Sequence, residues 1–514
     1  MTLTPSADRA AAPAEPPGPS AASGPSAASD PSAASDPSTA SPDRLAKGLI
    51  GTTDLVFFVV AAAAPLTVLA GIAPFAIGVG GASAPAAYLI SGALLVLFAA
   101  GFTAMSRYVR NAGAFYAYVA RGLGRTLGVV TAYVAVVSYN LITPGVAAAF
   151  GYFAAGHIEQ RTGAHVPWWL LSGGCVAVVG VLGWLKVTLS AKVLGVALVL
   201  EVLSLLLMEG GVLADRGTAA LDPVSFDPSL LTQAGVAGMF VLVIGAFTGF
   251  EATAIYAEEA RDPARTVPRA TFIAIGFLAV FYALGTWIVM GAYGTDDAVA
   301  QARADGGPDL TFRAAERFVG LWLSDTMHVL IIVSAFASAL AFHNAAARYL
   351  YALGREGLLP RGLGRVSPRT GSPGRAVLVQ SGFNALVIGL GAVLAVDPYL
   401  VVLLWSNSVG VLGIMVMQAL AAVAVFAFFR TDRRGMSAFR VVWAPLLAAA
   451  GLAVLAVLAL FNFDLLTGRT GLVNWLLLVP VPVVAAAGWL VARRIRRTDP
   501  ERFARLTEVD VERD

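Results

Sequence analysis

The sequence predicts an all-α integral membrane protein of about twelve transmembrane helices. The expected arrangement is two inverted five-helix repeats, with discontinuous helices 1 and 6, followed by two C-terminal helices. Three observations carry this expectation. Hydrophobic residues make up 58% of the chain and charged residues 13%, about half the charged share of a soluble domain, and mean hydropathy is +0.76. Beyond Arg44 the chain is a succession of apolar stretches, each near the ~20 residues that a ~30 Å hydrocarbon layer requires. The first and sixth of these stretches are interrupted in their middle.

Composition also excludes several classes. The single cysteine, Cys175, has no partner for an intrachain disulfide or a cysteine-based zinc site. A formal charge of +3, with arginines strung between apolar runs, does not describe a nucleic-acid protein. His343 adjoins the cytoplasmic end of span 8 while His157 and His165 lie outside, so no metal-ligand cluster is expected. HExxH, Walker, GxSxG and strand-turn-helix GxGxxG patterns are absent. Neither an enzyme nor a bound cofactor is expected.

Taken in order, residues 1–45 have at their core, 19–43, a near-repeat of Ser, Ala, Pro and Asp without a large apolar side chain. They read as a disordered cytoplasmic tail lacking the apolar core of a signal peptide. The membrane domain, 46–495, holds spans at 50–78, 84–106, 127–155, 167–186 and 191–213 (repeat one, about 48–214). Spans at 234–258, 271–294, 325–353, 376–396 and 398–429 form repeat two, about 232–430. Spans at 440–462 and 471–492 close the domain over about 440–493, and 496–514 is a second cytoplasmic tail. With the N-terminus inside, the cytoplasmic loops carry 19 Lys or Arg and the outer loops six, as the positive-inside rule requires. An even span count returns the C-terminus to the same side of the plasma membrane.

The first span reads LVFFVVAAAAPLTVLAGIAP, with Pro65 at mid-membrane; an interior proline removes a backbone hydrogen bond and costs about 3 kcal/mol. In the sixth, Gly245 and Gly249 bracket Phe247 and Thr248, each glycine weakening the helix by up to ~1 kcal/mol. Irregular backbone at that depth is tolerated only in packed protein or around a polar cavity. Two breaks five helices apart, in spans of opposite direction, face each other in an inverted repeat. The expected substrate site is therefore Ala63, Ala64, Pro65, Leu66 and Thr67 with Phe247, Thr248, Gly249 and Phe250. Loosened helix ends offer N–H groups to an anion and C=O groups to a cation, which suits a zwitterion.

The run GFEATAIYAEEARDPARTVPRA at 249–270 resembles the helix-6 signature of the amino acid–polyamine–organocation (APC) superfamily, amino acid permease type. NAGAFYAYVARG at 111–122 and NAAARYLYALGREGLLPRGLGRVSPRTGSP at 344–373 resemble its helix 2–3 link and helix-8 end. The resemblance covers about residues 46–495 and implies a secondary transporter of an amino acid or related small amine. In many members the helix-1 break is glycine-rich and its bare amides hold a substrate carboxylate, whereas this chain reads AAAAPLTVL.

Glu201 lies deep in span 5, where some members are similar in having a lysine whose titration replaces a sodium ion between helices 1, 5 and 8. A glutamate there is expected to take and release a proton, or else to be a permanently hydrogen-bonded structural acid. Glu251 and Glu258 share one face of the lower half-helix. They read either as an acidic inner gate or as partners of loose backbone and interfacial arginines. Ser334 and Ser338, one turn apart on span 8, face helices 1 and 5 by the same resemblance, or bond back to their own helix. Asn140, Trp405, Ser406 and Asn407 are further candidates for the cavity wall. The expected partners are the lipid bilayer, a small amino-containing solute and a proton as coupling ion. Substrate exchange of amino acids or polyamines, and a non-transporting solute sensor, are the alternatives.

Overall fold

The computed structural model describes residues 51–109, 115–185, 191–233, 235–255, 260–304 and 309–506. Among the described residues there is no strand. Within these described residues, nine helical runs are long and apolar enough to cross a bilayer, the first of which, Thr52–Met105, carries two spans. Two shorter apolar helices, Trp168–Trp184 and Val236–Gly245, complete twelve. The expected tail 1–45 and Glu258 lie outside the described residues.

Span 1 is α1 (Thr52–Ala63), a π-helical turn (Thr67–Ile72) and α2 (Ala73–Gly80). It starts where the Gly51 N–H donates to the Asp54 carboxylate at 3.0 Å. Then follow α3 (Ala84–Met105), the short α4 (Phe115–Leu123), α5 (Arg125–Thr162), α6 (Trp168–Trp184) and α7 (Ala191–Arg216). The second half begins with α8 (Val236–Gly245) and α9 (Ala252–Ile255), the two halves of span 6. It continues with α10 (Pro263–Tyr293), α11 (Thr295–Ala304), α12 (Asp309–Phe318), α13 (Leu321–Arg355), α14 (Gly374–Val393) and α15 (Leu404–Phe429). Next come α16 (Ala444–Phe461), the short α17 (Phe463–Thr467), α18 (Leu472–Leu478), α19 (Pro480–Thr498) and α20 (Pro500–Arg505). Part of the segment expected as a C-terminal tail is thus helical, and Arg502 donates to the Gly357 carbonyl at 2.5 Å.

Corresponding helices of the two halves pair in the packing. The third span of each half, α5 and α13, is the longest at 38 and 35 residues, and the two lie along each other. The second spans, α3 and α10, pair in the same way, with α1 held among α7, α10 and α13. Lipid supplies no hydrophobic drive for helices to associate, so close approach through small residues does that work. At Gly92, for example, any side chain would collide with Ala279 across the α3–α10 seam. On α7 the sequence separates two faces: Leu200, Leu203, Leu206 and Leu207 are exposed, while Glu201, Leu205, Met208, Glu209 and Val212 are buried against the bundle.

Candidate functional site

The break in span 1 is one residue wide. Pro65 disfavours the α region for the residue before it, and Ala64 takes a left-handed conformation, φ 49° and ψ 72°. For a non-glycine residue this costs about 1–2 kcal/mol, so surrounding contacts must hold it. They do so on both sides. The carbonyls released at the end of α1 accept hydrogen bonds from Ser338 Oγ on α13 (to Ala62, 2.8 Å) and from the Tyr282 hydroxyl on α10 (to Ala63, 3.1 Å). Past the break, the Leu66 N–H donates to Glu201 Oε2 at 3.5 Å, and Ser334 Oγ donates to the same oxygen at 2.8 Å. A carboxyl group thus stands at the N-terminal end of a half-helix, where the backbone dipole favours negative charge. Ser334 and Ser338 bond across to α7 and α1 instead of back to their own helix.

Span 6 opens wider. Helix α8 stops at Gly245 and helix resumes only at Ala252. Gly249 adopts φ 119°, available to glycine alone at little cost. The Glu251 side chain folds back so that the Gly249 N–H donates to Oε2 at 3.0 Å, while the Tyr139 hydroxyl of α5 donates to Oε1 at 2.6 Å. Tyr139 is in turn stacked on Tyr349 of α13, ring centroids 4.8 Å apart. Glu251 thus bonds the loose backbone of its own break and a tyrosine of α5.

Between the two breaks is a cavity of about 70 Å³, room for several waters. Of the residues expected to bind substrate, Ala63, Ala64, Thr67 and Thr248 line it, as does Ser338. Pro65, Leu66 and Gly249 shape the breaks without lining the cavity. Gly249 lies against α1, where an added Cβ would meet the Ala62 methyl at 3.1 Å. Phe247 and Phe250 turn the other way, into an aromatic cluster: Phe247 against Tyr88 and Tyr282, Phe250 against Phe98. Thr67 Oγ1 is buried without a hydrogen-bond partner. Asn407 and Ser408 add polar atoms and Ile142, Val241 and Phe342 apolar ones. The cavity has no charged side chain in its lining among the described residues.

Other candidates are placed elsewhere. Asn140 donates to the Val136 carbonyl of its own helix, and Ser406 bonds back to Val402. Trp405 reaches the Thr467 carbonyl. Among the described residues no group of three metal-ligating side chains converges. Sequence reasoning missed Tyr139, Tyr282 and Thr311, whose Oγ1 donates to the Leu69 carbonyl in the π-helical turn at 2.7 Å. A tyrosine inside an apolar helix was the available signal, since its hydroxyl needs a partner when buried.

The amino acid permease family model matches residues 54–502, nearly the whole membrane domain. The chain belongs to the amino acid permease family. Within it, the permease is similar to an uncharacterized transporter of Mycobacterium tuberculosis, 36% identical over 201 residues. That match takes in 38% of this chain and 42% of the relative, so it spans less than half the relative's length. Similarity also extends to the low-affinity putrescine importer PlaP of Escherichia coli, 24% identical over 60% of this chain and 68% of that protein. The branched-chain amino acid permease BcaP of Lactococcus lactis is 22% identical over 55% and 63% respectively. The helix 1 and 6 breaks of this permease are thus both capped internally, by Glu201 at Leu66 and Glu251 at Gly249.

Proposed function

We propose that this permease is a secondary transporter for a small zwitterionic amino acid with a neutral, mainly apolar side chain, driven by proton coupling through Glu201. The observation that carries the reading is the pair of broken helices meeting at one cavity with no charged lining. A zwitterion brings no net charge; its ammonium can approach the released carbonyls, and its carboxylate the half-helix N-terminus once Glu201 is protonated. A polyamine would bury positive charges without a carboxylate facing them, at several kcal/mol each. The name of BcaP therefore fits this cavity better than that of PlaP.

Reconstitution of the full chain in proteoliposomes, with a radiolabelled mixture of amino acids, tests the mechanism. Accumulation driven by an imposed pH gradient is expected. Flux only with internal substrate would make the protein an exchanger, and binding without flux would make it a sensor.

Thr67 supplies a finer test. Thr67 lines the cavity and its buried hydroxyl has no partner in the protein, so substrate is its expected partner. Thr67→Val keeps the shape and removes that bond; KM should rise about tenfold, equivalent to ~1.4 kcal/mol. An unchanged KM would take Thr67 out of the binding site.

The orientation belongs to the same proposal, with both termini in the cytoplasm. A cysteine introduced at exposed Asp297 on α11 should react with an impermeant maleimide on intact cells, and one at exposed Arg369 only after lysis. The native Cys175 is buried and should stay silent. Labelling of the Arg369 position from outside would reverse the topology.

A further inference from the structure

Glu209 is a second carboxylate buried on α7, 6% exposed, eight residues beyond Glu201 on the bundle-facing side. Its Oε1 has no hydrogen-bond partner. A carboxylate inside a membrane helix costs ~2.5–3.5 kcal/mol on insertion scales and is a functional group by default. The groups beside it are also short of partners. Gly285 of α10 leaves room for it, since a Cβ there would stand 3.0 Å from Glu209 Oε1. The next residue, Thr286, is fully buried with Oγ1 unpartnered, and beside it lies the equally buried and unpartnered Tyr88 hydroxyl of α3. The Tyr88 ring meets Tyr282 edge-on at 5.6 Å. Tyr282 in turn bonds the Ala63 carbonyl at the helix-1 break and neighbours Glu201.

Three orphaned polar atoms on three helices, leading from one buried acid to another, are more than packing noise. Buried polar groups are almost always satisfied, by protein or by ordered water. We propose that Glu209, Thr286 and Tyr88 form a second proton-binding site and relay, bridged by water, that joins Glu201 to the Arg216 end of α7. The relay rests on the reading of Glu201 as the coupling acid. One proton arrives on a Glu209 carboxylate oxygen, each hydroxyl or water accepts one proton as it passes one on, and one ends on a Glu201 oxygen. Only O–H bonds break and form.

The surrounding charges leave Glu209 free for this. Residues 65–80 and 217–220 carry no titratable side chain. From α10 and α3 the titratable neighbours are Tyr282 and Tyr88. On α12, Asp309, Arg313, Glu316 and Arg317 are exposed. On α13, Asp325 pairs with Arg161 and His328 bonds the Ser324 carbonyl. Arg216 donates to the Gly291 carbonyl.

The test uses the full chain in proteoliposomes with the radiolabelled amino acid mixture, comparing pH-driven accumulation with counterflow. Glu209→Gln and Thr286→Val should each slow accumulation at least tenfold while counterflow stays within twofold, and Glu209→Asp should recover part of the loss. The Thr286 hydroxyl has the Tyr88 hydroxyl as its neighbour, so a merely structural role predicts that Thr286→Val lowers accumulation and counterflow together. Wild-type accumulation by Glu209→Gln, alongside failure of Glu201→Gln, overturns the relay and spares the Glu201 reading. Wild-type accumulation by both overturns both. Should Glu209→Gln fail to insert, Thr286→Val and Tyr88→Phe decide, and normal accumulation by that pair overturns the relay.

Discussion

Replacing Gly249 with valine is expected to abolish solute flux while leaving the protein in the membrane. The backbone at Gly249 has φ 119°, a region closed to β-branched residues. A valine Cβ would also begin 3.1 Å from the Ala62 methyl, where α1 ends beside the break. Strain of about 1–2 kcal/mol from the backbone and about 1–3 from overpacking falls on one turn, and the buried helices elsewhere do not depend on it. What it disturbs is the contact between the two breaks, together with the Gly249 N–H that Glu251 holds. Surface expression and a monodisperse detergent extract establish insertion; uptake by the inserted protein measures the effect. Near-normal uptake by such a protein would remove the transport site from this place.

The breaks themselves were legible in sequence, because proline and glycine act on their own backbone. AAAAPL and GAFTGFE announce interruptions whatever they pack against. Less legible was the form each takes. Pro65 was the obvious breaker, yet the residue that leaves the helix is Ala64, because a proline's ring constrains the residue before it. Which way side chains turn at a break was not legible either. Thr248 faces the cavity while Phe247 and Phe250 on either side pack among aromatic rings, and no helical or strand period applies across non-helical backbone. The partners of buried acids are long-range by nature. Tyr139 is 112 residues from Glu251 in the chain, and Ser334 is 133 from Glu201. The resemblance placed Ser334 near helix 5, but only the fold makes it a hydrogen-bond donor.

The two acids cap the two breaks in different ways, and the difference bears on which can respond to motion. Glu251 belongs to the segment it caps: its carboxylate reaches back two residues to Gly249 and is steadied from α5 by Tyr139. It closes a local turn. Glu201 caps a half-helix to which it does not belong, from α7, with the second donor coming from α13. Any displacement of the second half of span 1 relative to α7 must stretch or break that bond. A gate needs a contact that exists in one arrangement and not in another, because a ligand shifts an equilibrium only by its differential affinity for the two states.

Glu201→Gln is accordingly expected to retain substrate exchange and lose accumulation driven by a pH gradient, by at least tenfold. As a carboxylate, Glu201 accepts from both Leu66 N–H and Ser334 Oγ through one oxygen, and negative charge strengthens both bonds. Protonation weakens acceptance, and the bond to Leu66, already 3.5 Å long, is the first to yield. On the proposed coupling, the proton would then favour the arrangement in which span 1 has left α7. Glutamine keeps the size and an accepting oxygen but holds the neutral state at every pH, so solute can still cross in exchange while the gradient no longer selects an arrangement. A purely structural acid predicts a different pattern: either the glutamine protein keeps its full dependence on the gradient, or exchange and accumulation fall together. Parallel measurement of counterflow and pH-driven uptake in the same proteoliposomes separates these outcomes, and uphill accumulation by Glu201→Gln at the wild-type rate would remove Glu201 from the coupling step.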